Sequence, residues 1–322
     1  MHKALIIVNA AAARAGRAWP SIRERIRAAG LDFDLHQTQH AGDATLRTRA
    51  ALRAGVTTIA VVGGDGTLSE TAEGFFEFDR QLCELPAPIN PAAALAILPA
   101  GTGDDFARGI TGQRVPLGRW IDILIAHCLQ QVTDRARAID VLYGLCNDYR
   151  KPFICLNAAS IGIGAETATR VAAQGVLTRA MPGELRFALA AIAALASWRE
   201  RRVRIVIDDR EVLDGPLNLA AVSNARYAGG GMMFSPLAQF DDGKLDVVTA
   251  SGMNRAQVIR ELARIHHGGH LANPKVRAMQ GARVRVETGT AEDAMPVEAD
   301  GNPRGMTPVE LRVMPAALRF VV

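Results

Sequence analysis

The chain has 322 residues, 49% of them hydrophobic, which suits one large domain or two medium domains with a substantial core. Its net charge of +4 argues against a dedicated nucleic-acid-binding protein and is compatible with brief attraction to anionic lipid. The four cysteines include no CxxC pair, which argues against a disulfide framework or a zinc site and favours a reducing cytosol.

The apolar segments are too short to cross a membrane. The first one ends at Asn9 and predicts a buried strand rather than a signal peptide. The most apolar later segment, residues 187–198, has about 12 residues, whereas a membrane span needs about 20. We therefore expect a soluble protein, or one that touches a membrane without crossing it.

Strand and helix signals alternate along the first third of the chain. Apolar strand-like runs, such as the β-branched segment 57–64, are separated by segments with helical periodicity at 21–29 and 44–54. This alternation predicts an α/β domain with a parallel sheet flanked by helices. Ligands bind beyond the carboxyl ends of the strands in such sheets, and two glycine-rich loops stand at those ends.

The pattern changes after about residue 131. Strand-like segments with short polar connections follow, interrupted chiefly by helical segments at 185–198 and 254–267. They predict a mostly antiparallel, β-sandwich-like second domain. We therefore divide the chain into residues 1–131 and 132–322, with the final residues free to pack back on the first domain. We expect the active site in the cleft between the two domains.

The first glycine-rich loop is Gly63-Gly64-Asp65-Gly66-Thr67. Consecutive glycines allow the backbone to approach a ligand, and their N–H groups together with a helix N-terminus favour an anion. Asp65 would repel a bare phosphate, so it orders the loop, contacts a metal or handles a hydroxyl proton. The alternative is a plain tight turn. A Walker P-loop is excluded because GxxxxGK[ST] does not occur, and a Rossmann fingerprint because GxGxxG does not follow the first strand.

The second loop, "PAGTGDDFAR" at residues 99–108, also follows a strand and contains two glycines, a threonine and two carboxylates. Its simpler interpretation is a helix start that is capped by Asp104 or Asp105. Two such loops at neighbouring strand ends indicate one shared site.

These motifs together resemble the diacylglycerol kinase catalytic domain family. That family includes bacterial lipid kinases and the sphingosine and ceramide kinases, and it is distantly related to NAD kinases. The resemblance extends over most of the chain and includes five further segments: "VNAAAARAG", "TQHAGDAT", "FICLNAASIGIGAETA", "VSNARYAGGGMMFSPLAQFDDGKLDV" and "VEADGNP". The NAD kinase branch shares GGDGT but not the second loop or the GGG…DDG block, so an NAD kinase is a much weaker match to this sequence than a lipid kinase.

The resemblance implies roles for individual residues. The first domain would bind the nucleotide and the second the lipid, and ATP would be bound by Asn9, Thr38, Gly63, Gly64, Asp65, Gly66, Thr67, Glu70, Gly101, Thr102 and Asp105. Asp65 and Asp105 would also organise Mg²⁺ and phosphates. A structural Mg²⁺ in the second domain would be held by Asp242 and by main-chain oxygens at Gln239 and Lys244, an oxygen-only set that suits this hard cation. The alternative is that the turn at Asp242 is only a hairpin.

The sequence departs from the family at two positions. Asp104 stands where the family usually has Asn, which adds a negative charge near the phosphates. Asn302 stands at the position of the Glu usually taken as the proton acceptor, and an amide cannot be a general base. Either Asp300 or Asp65 takes the proton, or the reaction is slow, or the protein only binds its ligands. The catalytic candidates are therefore Asp65, Asp300 and Asn302.

The resulting hypothesis is an ATP- and Mg²⁺-dependent lipid kinase that is cytoplasmic and transiently at the inner face of the membrane. Diacylglycerol is the default acceptor, with a sphingoid base or ceramide next. An NAD kinase-like enzyme and a non-catalytic nucleotide- or lipid-binding protein are the alternatives. The expected partner is lipid at a membrane surface. No nucleic-acid partner is expected, and the sequence does not decide whether the protein forms a homodimer. The histidines at 266–270 are more typical of a helix C-terminus than of a metal cluster. The basic run 198–204 is more typical of a solvated helix end than of a lipid contact.

Overall fold

The computed structural model describes residues 4–79, 84–129, 135–174 and 183–322; Cys83 falls outside these ranges. The chain forms two compact units. Unit 1 comprises Met1–Val141 and Met314–Val322, and unit 2 comprises Leu142–Val313.

Unit 1 alternates strands and helices. Its elements are β1 (Ala4–Val8), α1 (Ala13–Ala28), β2 (Phe33–Gln37), α2 (Asp43–Arg53), β3 (Thr58–Gly63), α3 (Asp65–Glu73), β4 (Phe76–Glu77), β5 (Ala87–Pro88), β6 (Ala94–Pro99), α4 (Asp105–Thr111) and α5 (Leu117–Cys128).

The sheet of unit 1 is parallel, in the order β6-β3-β1-β2. Every residue of β1 and of β3 is buried, as expected for strands whose two faces are both covered. The register pairs Gly63 with Pro99, so β3 and β6 end side by side. The loops that follow these two strands therefore start next to each other.

Unit 2 is built mainly from antiparallel strands. Its elements are the end of β7 (Ala136–Cys146), β8 (Lys151–Cys155), β9 (Ala158–Gly162), α6 (Ile163–Ala172), α7 (Gly183–Ser197), β10 (Arg201–Ile207), β11 (Arg210–Leu217), β12 (Leu219–Ser223), β13 (Leu245–Ala250), α8 (Arg255–Arg264), β14 (Val276–Gly281), β15 (Arg283–Thr288), β16 (Pro296–Ala299), β17 (Asn302–Met306) and the first part of β18 (Val309–Val321), up to Val313.

Two sheets enclose the core of unit 2. One has the order β14-β13-β12-β9-β16-β17, and the other contains β11, β10, β15 and the first part of β18. Buried side chains from both sheets meet in one cluster, among them Ile161, Val222 and Val297 from the first sheet and Ile205 and Val286 from the second. The predicted combination of an α/β unit and a sandwich-like antiparallel unit is confirmed.

The sequence-based segments needed some correction. α1 begins at Ala13, well before the predicted helix at 21–29, and helices α5 and α6 were not predicted. The predicted helix at 254–267 is α8 followed by a short 3₁₀ turn, and Asn254 begins it with a capping box that includes Gln257.

Candidate active site

The two glycine-rich loops of unit 1 touch through their main chains. A Cβ atom on Gly101 would lie 2.6 Å from the Cα of Gly64, and a Cβ on Gly64 would lie 3.1 Å from the Cα of Gly101. The Ala100 N–H donates to the Gly63 carbonyl over 2.9 Å. The two loops thus form one continuous main-chain surface, and this packing requires glycine at positions 64 and 101.

Asp65 ties the two loops together. Its Oδ2 accepts the N–H of Asp105 over 3.0 Å and its Oδ1 accepts the N–H of Phe106 over 2.9 Å. These are the first N–H groups of α4, so Asp65 caps that helix from the neighbouring loop. Among the three roles open for Asp65, this geometry supports the one in which it orders the loops.

Asp104 does not cap α4, contrary to the simpler interpretation of this loop. Its backbone is left-handed, with φ 50°, and its side chain makes no cap hydrogen bond. Its Oδ1 instead accepts the Gly101 N–H over 2.8 Å. Burial raises the pKa of Asp104, while this hydrogen bond and the charges of Arg114 and Arg14 oppose the shift.

Arg14 is a site residue that sequence reasoning missed. It lies at the start of α1, is exposed, and donates from Nη1 to the Gly101 carbonyl over 2.9 Å. It therefore places a guanidinium group, which suits phosphate recognition, beside both loops. The only signal in the sequence was an arginine shortly after the first strand.

Asn9 joins the first strand to the GGDGT loop. Its Nδ2 donates to Thr67 Oγ1 over 3.1 Å, and its main-chain N–H donates to the Val62 carbonyl over 3.1 Å. Thr38 lies next to it, because its N–H donates to the Val8 carbonyl over 3.0 Å. The structure therefore brings Asn9, Thr38, the GGDGT loop and the Gly101–Asp105 loop together in unit 1.

Glu70 belongs to the same helix as the loop, but its side chain has another contact. Its Oε2 accepts the Gly42 N–H over 3.0 Å, and its carbonyl accepts the Thr45 hydroxyl over 2.8 Å. Gly42 has a φ of 83° and precedes α2. Glu70 thus fixes the start of α2 against α3, which is a contact different from the phosphate role predicted for it.

Asp300 occupies the turn between β16 and β17 in unit 2. Its Oδ2 accepts the Leu156 N–H over 2.8 Å, its Oδ1 accepts the Asn157 N–H over 2.9 Å, and the Cys155 thiol also donates to Oδ1 over 3.3 Å. The residue is 7% exposed. Asp300 therefore holds the β8–β9 connection in place.

Asn302 follows two residues later and is partly buried. Its Nδ2 donates to the Asp300 carbonyl over 3.3 Å.

Glu298, which the sequence did not single out, lies on the other side of this turn. Its carboxylate accepts the Gly301 N–H. Burial raises the pKa of Glu298 to about 8, with a further rise from Asp300 that Arg304 opposes.

The Asp242 turn offers oxygen atoms only. Asp242 Oδ1 accepts the Lys244 N–H over 3.0 Å, and Gly243 follows with φ 71°. Asp246 lies nearby, and burial followed by the charge of Asp242 raises its pKa. The turn lies in the connection between β12 and β13 and no strand directly precedes it, so it is not the hairpin of the alternative interpretation; Gln239 beside it is exposed. Within the described residues no group of three or more His, Cys, Asp or Glu could hold a metal ion.

Two of the three histidines at 266–270 lie within hydrogen-bond distance of main-chain carbonyls. His270 Nε2 lies 3.0 Å from the Phe234 carbonyl and His266 Nδ1 lies 3.4 Å from that of Gly231. Burial lowers the pKa of His270, which favours its neutral form. These contacts fix the segment around Gly229–Gly231.

An α/β unit with two joined glycine-rich loops, followed by an antiparallel sandwich unit, is the architecture of the class to which lipid kinases and NAD kinases belong. Residues 3–142 match the family model of the diacylglycerol kinase catalytic domain, and residues 158–322 match that of the YegS C-terminal NAD kinase beta sandwich-like domain. The chain therefore belongs to the YegS-type diacylglycerol kinase family, as its motifs indicated.

Known proteins with similar sequences bear related names. A probable lipid kinase YegS-like of Chromohalobacter salexigens is 31% identical over 93% of this chain and 88% of its own length. The diacylglycerol kinase of Bacillus subtilis is 27% identical over 96% of this chain and 93% of its own. The solved structure of a diacylglycerol kinase from Bacillus anthracis superposes with a TM-score of 0.67 and 20% identity, covering 99% of this chain and 96% of that one, and shows the same fold.

No helix in the described ranges is long and apolar enough to span a membrane.

Proposed function

We propose that this protein transfers the γ-phosphate of ATP to the hydroxyl group of a lipid, with diacylglycerol as the first acceptor to test and a sphingoid base or ceramide as the next. The observation that carries the proposal is the main-chain contact between Gly64 and Gly101, held by Asp65. It supports a ligand that approaches backbone closely and carries negative charge, since the N-terminus of α3 opens from the same loop.

The proposed nucleotide site uses main-chain groups rather than a lysine. The phosphates would lie along Gly63–Thr67 and Gly101, with Arg14 and Arg114 as cations beside the second loop. Asn9, Thr38 and the exposed Thr102 would flank the nucleotide. Asp65 would act chiefly by positioning the loops, and Asp105, which is buried, would be the carboxylate beside them that could organise Mg²⁺ and phosphates. Positioning and charge neutralisation supply most of the catalysis in phosphoryl transfer.

The proposed structural Mg²⁺ site is the Asp242 turn. The donor set fits, because the Asp242 carboxylate, the nearby Asp246 and the main-chain oxygens of Gln239 and Lys244 are all oxygen ligands. A bound Mg²⁺ would stabilise this turn. We expect millimolar Mg²⁺ to raise the melting temperature of the wild-type protein and to leave that of Asp242→Ala unchanged; an equal rise in both would place the ion elsewhere.

The apolar cavity in unit 2 is the place where we propose that an acyl chain of the acceptor binds. It has a volume of about 50 Å³, and its lining is mainly hydrocarbon, including Val248, Met253, Val258, Ile265 and Val276. This volume is close to that of one or two waters, so an acyl chain has to widen it.

The cavity can be tested with one residue that lines it and one that does not. Val258 lines it and is 7% exposed, whereas Leu237, also in unit 2, is 73% exposed and is not part of the lining. We expect Val258→Phe to raise the KM for long-chain diacylglycerol about tenfold, because the added volume narrows the cavity, and to leave the KM for ATP unchanged. The control variant Leu237→Phe should change neither constant; equal effects of both variants would remove the cavity from the lipid site.

The proposed membrane contact is the surface formed by α7 and α8. Leu189 and Ile192 on α7 and Ile259 and Leu262 on α8 are exposed apolar side chains. Arg255 links the two helices by donating to the Ala196 carbonyl over 2.7 Å, and arginines beside apolar groups favour an anionic lipid surface. Co-sedimentation with phosphatidylglycerol vesicles tests the contact, and binding that survives Ile192→Glu/Ile259→Glu would refute it.

The function itself is tested with γ-labelled ATP, Mg²⁺ and dispersed lipids. We expect labelled phosphate in diacylglycerol or a related lipid alcohol, and its loss in Asp65→Ala. Label in NAD instead would favour the NAD kinase alternative. Nucleotide binding without a phosphorylated product in either acceptor would replace the proposal with a binding protein.

A further inference from the structure

Strand β2 is an open edge of the sheet of unit 1. It pairs with β1 on one side, and no strand of the described residues pairs with its other side. Asp34, Leu35 and Gln37 are exposed, and Leu35 is 41% exposed although it is a large apolar residue. An exposed strand edge with an apolar side chain is a ready template for pairing with another strand.

The hydrogen bonds to β1 fix which main-chain groups of β2 point outward. The Thr38 N–H donates to the Val8 carbonyl over 3.0 Å, so the main chain of Thr38 points to β1. Residues that bond to the neighbouring strand alternate along a strand with residues whose N–H and C=O point away from it. Phe33, Leu35 and Gln37 therefore direct their main-chain groups to the open side of β2.

Most other edges of the two large sheets are closed to such pairing. β8 contains Pro152, β11 contains Pro216 and β17 contains Pro303. A proline has no N–H to donate, and prolines on edge strands prevent the addition of a further strand. Among the described strands, this leaves β2 and β14 as edges of these sheets without a proline.

β14 is less suited than β2 to pairing with a copy of itself. The Ser251 N–H donates to the Lys275 carbonyl, which leaves Ala278 and Gln280 with outward main-chain groups. Arg277 is the one charged residue of the strand. Two β14 strands would therefore bring no opposite charges together.

A two-fold axis at Leu35 makes β2 complementary to a second copy of itself. Antiparallel pairing about this axis sets Leu35 opposite Leu35 and Phe33 opposite Gln37. These are the residues with outward main-chain groups, so each pair exchanges two N–H···O bonds. The exposed Leu35 side chains of the two copies then cover each other.

The same register brings opposite charges together. Asp34 of one copy lies opposite His36 of the other, in the closely spaced class of antiparallel pairs. Within one chain, His36 Nε2 lies 3.1 Å from Asp43 Oδ2. Because Nε2 is used inside the chain, Nδ1 is the ring nitrogen that can donate to the Asp34 carboxylate of the second copy.

We propose that two copies of this chain associate through β2, antiparallel about Leu35, and join their parallel sheets into one. The partner is a second copy because β2 is complementary to itself in its outward main-chain groups, in the apolar Leu35 and in the charges of Asp34 and His36. The surface belongs to unit 1 alone and is a property beyond the proposed lipid kinase reaction.

The first test measures molar mass by light scattering after size-exclusion chromatography. The wild-type protein should have the mass of two chains and Leu35→Pro that of one. The Leu35 N–H points away from β1, so the proline removes donors of the interface and no hydrogen bond within the chain. Ala278→Pro places the same residue on the β14 edge, where the N–H also points outward, and should keep the mass of two chains.

The second test reverses one charge of the proposed interface. Asp34→Lys replaces two opposite-charge pairs with like-charge pairs, and we expect the dissociation constant of the dimer to rise about tenfold. Glu292→Lys makes the same reversal at an exposed position of unit 2 and should leave this constant unchanged.

The third test is a disulfide across the two-fold axis, which stays informative even where Leu35→Pro disturbs folding. The two Cα atoms of a hydrogen-bonded pair lie about 5.5 Å apart, which a disulfide can span. Leu35→Cys should therefore form a covalent dimer under mild oxidation. Leu46→Cys, at a residue of α2 that is 62% exposed, should stay a single chain. The cysteines that the structure describes, Cys128, Cys146 and Cys155, are buried.

Several results would overturn the proposed dimer. A wild-type protein with the mass of one chain at every concentration tested would do so. Dissociation by Ala278→Pro but not by Leu35→Pro would move the interface to β14. Equal cross-linking of Leu35→Cys and Leu46→Cys would show random collision instead of a fixed pairing. None of these measurements uses enzyme activity, so a failed dimer leaves the proposed lipid kinase function standing, and the reverse also holds.

Discussion

Asp65 in unit 1 and Asp300 in unit 2 make the same kind of contact in different surroundings. Each uses both carboxylate oxygens to accept main-chain N–H groups of a neighbouring segment. Asp65 is partly exposed and stands beside two glycines that leave the main chain accessible, whereas Asp300 is 7% exposed and also receives a thiol. The first aspartate joins two glycine-rich loops, and the second stabilises a buried turn.

The comparison shows that the presence of an aspartate in a functional motif does not by itself make it a proton acceptor. Both residues are candidates for this role because an amide, Asn302, stands where the family usually has the proton-accepting Glu. Their hydrogen bonds favour a positioning role for each.

The largest expected effect concerns the buried member of the pair. Asp300→Ala removes the acceptor of two buried N–H groups and of the Cys155 thiol, so we expect the free energy of unfolding to fall by about 3 kcal/mol or more. Asp65→Ala loses a helix cap at a partly exposed site and should cost about 1–2 kcal/mol. Urea unfolding of both variants measures the difference, and equal costs would contradict the distinction between the two sites.

A smaller effect is expected where the loops of unit 1 meet. The Cβ of Gly101→Ala would lie 2.6 Å from Gly64 Cα and 2.8 Å from Asp104 Oδ1, so the loops must separate. We expect a stability loss of about 1–3 kcal/mol and a KM for ATP raised at least tenfold. Gly215→Ala is the control, since nothing lies within 4 Å of its added Cβ. An unchanged KM for ATP in Gly101→Ala would separate this contact from nucleotide binding.

The smallest expected effect concerns Arg14. The residue is exposed, so Arg14→Ala should change stability by no more than about 0.5 kcal/mol. It should nevertheless raise the pKa of Asp104 further, because the charge of Arg14 now opposes the effect of burial on that carboxyl. Carboxyl titration by NMR measures the shift. Arg17→Ala, at another exposed position of α1, should leave Asp104 unaffected, and a similar shift in both would point to net charge alone.

The fold was predictable where the sequence pattern is local. Apolar β-branched runs marked the strands of unit 1, and the glycine-rich loops followed directly from their ends. Helix α6 was missed because it follows β9 without a loop. Gly162, with a φ of 94°, provides the turn between the strand and the helix. Its own sequence, with glycine and β-branched residues, has a weak helical preference.

The site was predictable in position but not in its contacts. The capping of α4 by Asp65 depends on the register that aligns Gly63 with Pro99, and the contact of Glu70 with Gly42 depends on the packing of α3 against α2. The sequence pattern around Glu298 is typical of a solvent-facing residue in a strand of alternating apolar and polar residues. Its burial arises from β9 and the turn at Gly301, which are tertiary features.

Strand β18 carries a consequence for the order of folding. Its residues 314–322 belong to unit 1, where Arg319 and Phe320 pair with β6. The Phe320 ring also meets that of Phe106 at 4.7 Å, on the helix that Asp65 caps. During synthesis the first 141 residues therefore emerge without one strand of their sheet. Strand β6 can pair with β18 only after residues 142–313 have been made. The two glycine-rich loops reach their final support only after unit 2 has been made, so a nascent chain completes this part of unit 1 last.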